Sequence, residues 1–370
     1  MRLIESKLVK KFNNLRILFP LDVCYPSRLG GYGNSVHWLN KSLNKVGVKT
    51  TIISTTRGMK ETVPLNKKTM KYGVETYYFN YFLSPLFCFS LFYWMWKNIR
   101  NYDLVHFNSF FSRITILGIF IARMRKVKYI LSPRGELFPS SMKFNYFRKL
   151  LYLLFFNILF KNSTYHLTKK EEKLPSAKKS RVYVIPNIVE NIVLTSKIPS
   201  IDKYILYLGR IHRRKRIHQL ISAFKKIKGD IKLYIVGQED DDYLNELKKL
   251  ADSRVKFLGY KFGNDKANIL RNAEMLVLPS EDENFGNVVV EALSVGTPVI
   301  ATKTTGWNIL KKEGVGVIVD KDLKLLVSSI EKLLGKKRSI KSKAILLAKK
   351  YTWKSLIPDY MKMYKDAKNN

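Results

Sequence analysis

Along this chain, short apolar runs alternate with longer stretches whose apolar residues recur at helical spacing. Leu15–Pro20 (LRILFP) predicts a strand, Tyr25–Gly33 a loop and Asn34–Lys45 a helix. Strands are predicted at Val48–Ser54, Asp103–Phe107, Lys128–Leu131, Ser163–Thr168 and Arg181–Ile185, with a helix at Ile114–Arg125. A connector at Ile188–Lys203 precedes a second series, with strands at Tyr204–Gly209, Ile231–Gly237, Arg254–Leu258, Met275–Pro279, Pro298–Ala301 and Gly316–Val319. Helices are predicted among these strands at Gln219–Ile227, Asp265–Asn272 and Val288–Val295, and after them at Asp322–Leu334, Ser339–Tyr351 and Lys354–Lys365. Strands separated by helices imply parallel sheets, and there are two such sets. The reading is an α/β chain of two doubly wound, Rossmann-like domains facing each other across a cleft at the strand ends, where ligands bind.

Composition narrows the class. With 46% hydrophobic residues among 370, the chain is too apolar for a disordered basic tail and long enough for two cores. Cys24 and Cys88 do not make a disulfide framework, which fits a reducing compartment. Met1–Asn14 is polar and basic, and the apolar run Leu15–Leu21 is too short for a signal peptide, so none is expected.

The net charge of +38 demands a polyanionic neighbour or reflects a Lys-rich compositional bias. Residues 1–190 hold 32 basic and 9 acidic side chains; residues 191–370 hold 35 and 20. No nucleic-acid module stands out, and nucleic acid is not an expected partner. Two segments are membrane candidates: Tyr77–Trp96 (YYFNYFLSPLFCFSLFYWMW) and Lys149–Phe160 (KLLYLLFFNILF). The first approaches the length of a span, but Asn80, Pro85 and its aromatic crowding suit an interfacial or buried segment better. With Lys97, Arg100, Lys143, Arg148 and Lys149 beside it, such a face suits anionic lipid; core packing is the alternative.

Three segments carry chemistry. Gly30-Gly31-Tyr32-Gly33 joins a strand to a helix and presents backbone amides to an anion, or is a plain tight turn. Its spacing is not that of a dinucleotide fingerprint, so no such cofactor is expected. Arg210 to Arg216 (RIHRRKR) clusters cations at a strand end; Arg210 and Lys215 suit a diphosphate clamp, provided an anion offsets their repulsion. In Pro279–Leu293 (PSEDENFGNVVVEAL), three acids fall together in an acid-poor chain, and Glu291 sits on an apolar helix where it needs a partner.

Glu283 and Glu291, with seven residues between them, resemble the E-x7-E signature of retaining glycosyltransferases of family 4, which have the GT-B fold. Gly30–Gly33, Pro186-Asn187, Gly209-Arg210, Lys215, Val236-Gly237, Gly259 and Gly296-Thr297-Pro298-Val299 fall in that family's order. The resemblance implies that Arg210 and Lys215 hold the donor diphosphate, Glu291 the ribose, and Glu283 the transferred sugar. The amides of Phe285, Gly286 and Asn287 lie nearby, Gly237 belongs to the donor site, and Gly31 approaches the phosphate from the other domain. It implies an acceptor-side domain at 1–190 that includes a returning helix at about 352–368, and a donor domain at 191–351.

The chain departs from the commoner pattern at His106-Phe107-Asn108 and at Ser132-Pro133-Arg134-Gly135-Glu136, a variant that looks like that of surface-polysaccharide transferases. His106, Arg134, Glu136 and His166 are therefore candidates for sugar or acceptor contacts, His166 equally for a structural role. Asp240-Asp241-Asp242 has a metal-binding spacing but reads as a capped helix start, and no metal or cofactor is expected beyond a UDP- or GDP-sugar co-substrate. Lys178–Arg181 reads as a solvated turn. The implied function is retaining transfer of a sugar to a polysaccharide hydroxyl. A polyprenyl-diphosphate-linked glycan is the expected acceptor, and the expected location is cytoplasmic, on the inner face of the plasma membrane. A sugar-nucleotide epimerase, a phosphorylase and a non-enzymatic membrane or polyanion binder are the competing readings.

Overall fold

The computed structural model describes residues 15–25, 31–59, 62–81, 88–142, 145–160, 163–172, 174, 180–189, 192, 202–238 and 241–369, the side chains of 140, 155–160 and 241 excepted. The chain forms two compact units, Met1–Ile188 with Leu356–Asn370, and Val189–Ser355. The connector expected at Ile188–Lys203 and the turn at Lys178–Arg181 lie largely outside the described residues.

The first unit is built on β1 (Arg16–Leu21), β2 (Lys49–Thr55), β3 (Lys68–Lys71), β4 (Val74–Phe79), β5 (Leu104–Asn108), β6 (Lys128–Ser132), β7 (Thr164–Leu167) and β8 (Arg181–Val184). Their order in the sheet is β3-β4-β2-β1-β5-β6-β7-β8. Only the β3–β4 pair is antiparallel. Its helices are α1 (Gly31–Lys45), α2 (Phe89–Asn98), α3 (Arg113–Met124), α4 (Pro139–Met142) and α5 (Tyr146–Phe160). All five residues of β5 are buried, as a strand covered by helices on both faces requires. Leu91 and Met95 of α2 and Ile114 and Ile119 of α3 pack on Val105, Phe107 and Leu131 of the strands.

Two features depart from the sequence expectation. The aromatic run Tyr77–Trp96 is not one segment: Tyr77–Phe79 completes β4, and Phe89–Trp96 lies in α2. Strand alternation within Val74–Phe79 buries Val74, Thr76, Tyr78 and Phe79, while α2 buries only Leu91 and Met95. The hairpin β3–β4 turns on Tyr72 (φ 50°) and Gly73 (φ 82°), both left-handed, as a tight two-residue hairpin demands. No helix among the described residues is long and apolar enough to cross a membrane.

The second unit is wholly parallel: β9 (Tyr204–Leu208), β10 (Lys232–Val236), β11 (Val255–Phe257), β12 (Met275–Leu278), β13 (Val299–Thr302) and β14 (Gly316–Val319), ordered β11-β10-β9-β12-β13-β14. Around it lie α6 (Ile217–Phe224), α7 (Asp241–Leu250), α8 (Gly263–Asn272), α9 (Asn287–Ser294), α10 (Ile309–Lys312), α11 (Leu326–Leu333) and α12 (Lys337–Lys349). Asp241 opens α7, and Asp240 lies outside the described residues.

The last helix, α13 (Trp353–Lys368), belongs from Leu356 onward to the first unit. Tyr360 donates its hydroxyl to the Pro186 carbonyl at 3.0 Å, Tyr183 donates to Asp366 at 2.6 Å, and Lys368 pairs with Asp103 at 2.7 Å. The Tyr364 hydroxyl lies 2.8 Å from His106 Nδ1, both groups being fully buried. Tyr364→Phe therefore leaves a buried imidazole nitrogen without a partner. It should lower the urea-unfolding stability of the first unit by about 1–3 kcal/mol, and an unchanged unfolding midpoint would show that this bond does not anchor the helix.

Candidate functional site

In the second unit, the ends of β9 and β10 close on each other: Gly209 N–H donates to the Val236 carbonyl at 3.0 Å and Ile211 N–H to that of Gln238 at 2.9 Å. A Cβ on Gly237 would lie 1.8 Å from the Gly209 carbonyl oxygen, so only glycine fits this approach. Arg210 stands exposed after Gly209. The chain then makes a single 3₁₀ turn at Arg213–Lys215, in which His212 Nδ1 accepts from the Arg214 amide at 3.2 Å. Arg216 follows in the left-handed region at φ 53°, a costly position for a residue with a Cβ unless surrounding contacts hold it.

It is held, as are its neighbours. The basic turn faces the acidic loop after β12, residue against residue. Arg214 pairs with Asp282, Lys215 Nζ donates to Glu283 Oε1 at 2.5 Å, and Arg216 lies 3.5 Å from Glu281. The Glu281 amide donates to the Arg214 carbonyl at 2.8 Å, so backbone and side chains join the two loops together. Ser280 Oγ donates to the same Glu283 oxygen at 2.8 Å. The anion that the basic run required is thus supplied in part by the chain itself. Lys215 and Glu283 are both mostly shielded from solvent, at 19% and 14% side-chain exposure, where a pair of opposite charges is felt strongly.

Beyond this loop, Gly286 caps α9 at φ 78°. Phe285 is a core residue: it packs on Trp307 and Tyr351, and its carbonyl accepts from Trp307 Nε1 at 2.6 Å. Asn287 is the first residue of α9. Glu291, one turn further along, accepts from Lys266 Nζ at 2.6 Å. Sequence reasoning correctly demanded a partner for this carboxylate but did not find Lys266, which reaches it from α8, 25 residues earlier.

In the first unit, His106, Arg134 and His166 meet at neighbouring strand ends, but their polar atoms are engaged by protein groups. His166 Nε2 lies 3.0 Å from the Ile185 carbonyl, which only accepts, so Nε2 carries the proton. His166 Nδ1 then accepts from Ser132 Oγ at 2.8 Å, Ser132 accepts from His106 Nε2 at 2.7 Å, and His106 Nδ1 accepts from Tyr364. One carbonyl fixes both tautomers of the neutral rings. Burial lowers both affinities for a proton, His166 to about 3.

Arg134, left-handed at φ 56°, donates from Nε and Nη2 to Asn108 Oδ1 (2.9 and 2.7 Å) and from Nη1 to Asn187 Oδ1 (2.6 Å). Glu136 accepts from Ser109 Oγ and from the amides of Phe110 and Phe111. These side chains tie the loops after β5 and β6 to each other. Gly31 opens α1, and a Cβ there would meet nothing within 4 Å, so its surroundings do not themselves demand glycine. Gly31–Gly33 lie in the first turn of α1, which begins three residues earlier than the sequence pattern suggests.

The residues that sequence reading passed over are the long-range partners Asn108, Asn187, Glu172, Arg214, Asp282 and Lys266. Asn108, Asn187, Arg214 and Asp282 lie inside segments the sequence marks as chemistry-bearing or as landmarks, though nothing there pairs them with their partners; Glu172 and Lys266 carry no such signal.

Residues 172–349, just under half of the chain, match the family model of glycosyl transferases group 1. An uncharacterized glycosyltransferase of Methanocaldococcus jannaschii, MJ1607, is 32% identical over 45% of this chain and 45% of its own length. The capsular polysaccharide biosynthesis glycosyltransferase CapM of Staphylococcus aureus is 36% identical over 36% of this chain and 37% of its own. These two matches thus span less than half the length of those relatives. Among solved structures, Anabaena HepE in complex with UDP and glucose superposes with a TM-score of 0.71 at 18% identity, covering 96% of this chain and all of that one. That likeness shows the fold, which is GT-B. Together the matches support an enzyme of the glycosyl-transferring class.

Glu172 links this region to pH. It is buried, one oxygen accepts from the Gly135 amide, and its other oxygen has no partner among the described residues. Burial raises its carboxyl from 4.5 to about 7. Between those values the folded state keeps a proton that the unfolded state has lost, so this group's contribution to stability falls as pH rises through the window. Glu172→Gln should match the parent protein at about pH 4 and be more stable by about 1–3 kcal/mol at about pH 8 in thermal unfolding. Parallel pH profiles for the two proteins would refute the assignment.

Proposed function

We propose that the chain transfers a sugar, with retention of configuration, from a UDP- or GDP-sugar to a hydroxyl of a growing, lipid-linked surface polysaccharide. The observation that carries this reading is the Lys215–Glu283 pair, set in facing basic and acidic loops inside the segment that matches the family model. CapM's name, and the UDP and glucose bound by HepE, support the polysaccharide product and the nucleotide donor.

Breaking the anomeric bond places negative charge on the departing diphosphate and positive charge on the sugar. Arg210 and Lys215 meet the first charge. The diphosphate competes with Glu283 for Lys215; when Lys215 turns to the phosphate, Glu283 is released toward the sugar, beside the amides of Phe285, Gly286 and Asn287. Glu291 accepts from ribose hydroxyls, with Lys266 paired to it. Gly237 leaves room for the phosphate to approach the backbone, and Gly31 is a further candidate for a phosphate contact. The acceptor hydroxyl attacks from the face the leaving group vacates, and the diphosphate oxygen takes its proton. His106, Arg134, Glu136 and His166 shape the acceptor side by holding strand ends in place. The partners are the nucleotide sugar, a polyprenyl-diphosphate-linked glycan or similar acceptor, and the anionic inner face of the membrane to which the protein binds peripherally.

Lys215→Ala should cut turnover at least ~100-fold, the scale of losing one electrostatic donor to the transition state. The assay is release of nucleoside diphosphate from UDP- and GDP-sugars in the presence of membrane-derived acceptor. Undiminished turnover at saturating donor would sink the clamp; isomerised sugar nucleotide formed without acceptor would point to an epimerase instead.

A further inference from the structure

Helices α2, α3 and α5 stand side by side on one face of the first sheet, and each exposes large apolar side chains among its described residues. Phe89 and Tyr93 of α2 are 72% and 68% exposed, Phe120 and Met124 of α3 about half exposed, and Phe147 and Leu154 of α5 78% and 69%. Solvated helices of a folded unit carry mostly polar residues outward, and exposed apolar side chains gathered on adjacent helices mark an interaction surface. None of the three helices contains an Asp or Glu. Exposed cations fringe them instead: Lys97, Arg100, Arg123, Lys126 and Arg148. Trp96, half-exposed on α2, lies under the Arg125 guanidinium at 5.0 Å, an arrangement suited to a boundary between water and hydrocarbon.

We infer that this three-helix face is a docking surface for an anionic lipid bilayer. A protein partner would need acids matched in position to scattered cations, whereas a layer of anionic headgroups meets cations wherever they fall. The apolar side chains then enter the headgroup and acyl boundary while the helices lie flat on it, which asks for no spanning segment. The inference deepens the membrane part of the proposed function by naming the surface that makes the contact, and it is independent of the donor-site assignment.

The test is co-sedimentation of the full chain with vesicles of phosphatidylcholine alone or mixed with phosphatidylglycerol. Binding is expected to the anionic vesicles, weakening as salt is raised. The combined variant Phe89→Ser, Tyr93→Ser, Phe147→Ser, Leu154→Ser should bind at least about tenfold more weakly. Because these side chains are exposed, its thermal midpoint should be unchanged. A second variant, Arg123→Gln with Arg148→Gln, should lose preference for the anionic vesicles while keeping residual apolar binding. Three results would overturn the inference: no binding to anionic vesicles, equal binding by the apolar variant, or a concentration-dependent dimer abolished by that variant without vesicle binding. Calorimetry with UDP- and GDP-sugars separates the two proposals: vesicle binding without any nucleotide-sugar binding leaves this surface standing and removes the donor-site reading.

Discussion

A charge withdrawn from water must be met by an opposite charge or by hydrogen bonds, and this chain, with 67 cations to 29 acids, has few acids with which to do it. The placement of those acids organises both units. In the second, Glu281, Asp282 and Glu283 stand against Arg216, Arg214 and Lys215, and that zipper holds the loop after β12 to the turn after β9. It also compensates the left-handed backbone at Arg216, whose side chain is held where glycine would be freer. Lys266 and Glu291 repeat the solution between α8 and α9.

The first unit solves the same problem differently. Arg134 is held by the amide oxygens of Asn108 and Asn187, and the buried carboxylate of Glu136 by a hydroxyl and two backbone amides. The histidines stay neutral because burial disfavours their charged forms, and a relay that ends on a carbonyl sets their tautomers. The first unit thus uses neutral and dipolar partners at its strand ends, whereas the second unit uses ion pairs, of which the Lys215–Glu283 pair is the one proposed above to open to a diphosphate. This contrast supports the division of labour proposed above, with a shaped acceptor side and a responsive donor side. On the outer helices no acid is present at all, and cations remain at the rim of an apolar face.

How much was legible depended on range. The parallel strands β5, β6, β9, β10 and β12 were readable because a strand buried on both faces is a compact apolar run, visible within five residues. The hairpin β3–β4 was not: Lys68–Lys71 is a half-exposed edge strand, and Val74–Phe79 runs into an aromatic stretch that continues toward α2, so strand and helix merged into one apparent segment. The Glu283–Glu291 spacing and the basic run at Arg210–Arg216 were visible as chemistry. Their mutual pairing was not, because Lys215 and Glu283 are 68 residues apart and only the parallel order β9–β12 brings their loops together.

By itself, then, the sequence determined what depends on neighbours in the chain: two βα series, the residue types at the strand ends, an uncompensated +38, and a carboxylate on an apolar helix that had to have a partner. Tertiary structure decided who the partners are. Lys266 was available for Glu291 only once α8 lay beside α9, and His106 and His166 gained their partners only when Ser132, Tyr364 and the Ile185 carbonyl closed around them. The physical reason is that hydrogen bonds and ion pairs act over about 3–4 Å, a distance the chain reaches between remote residues only by folding.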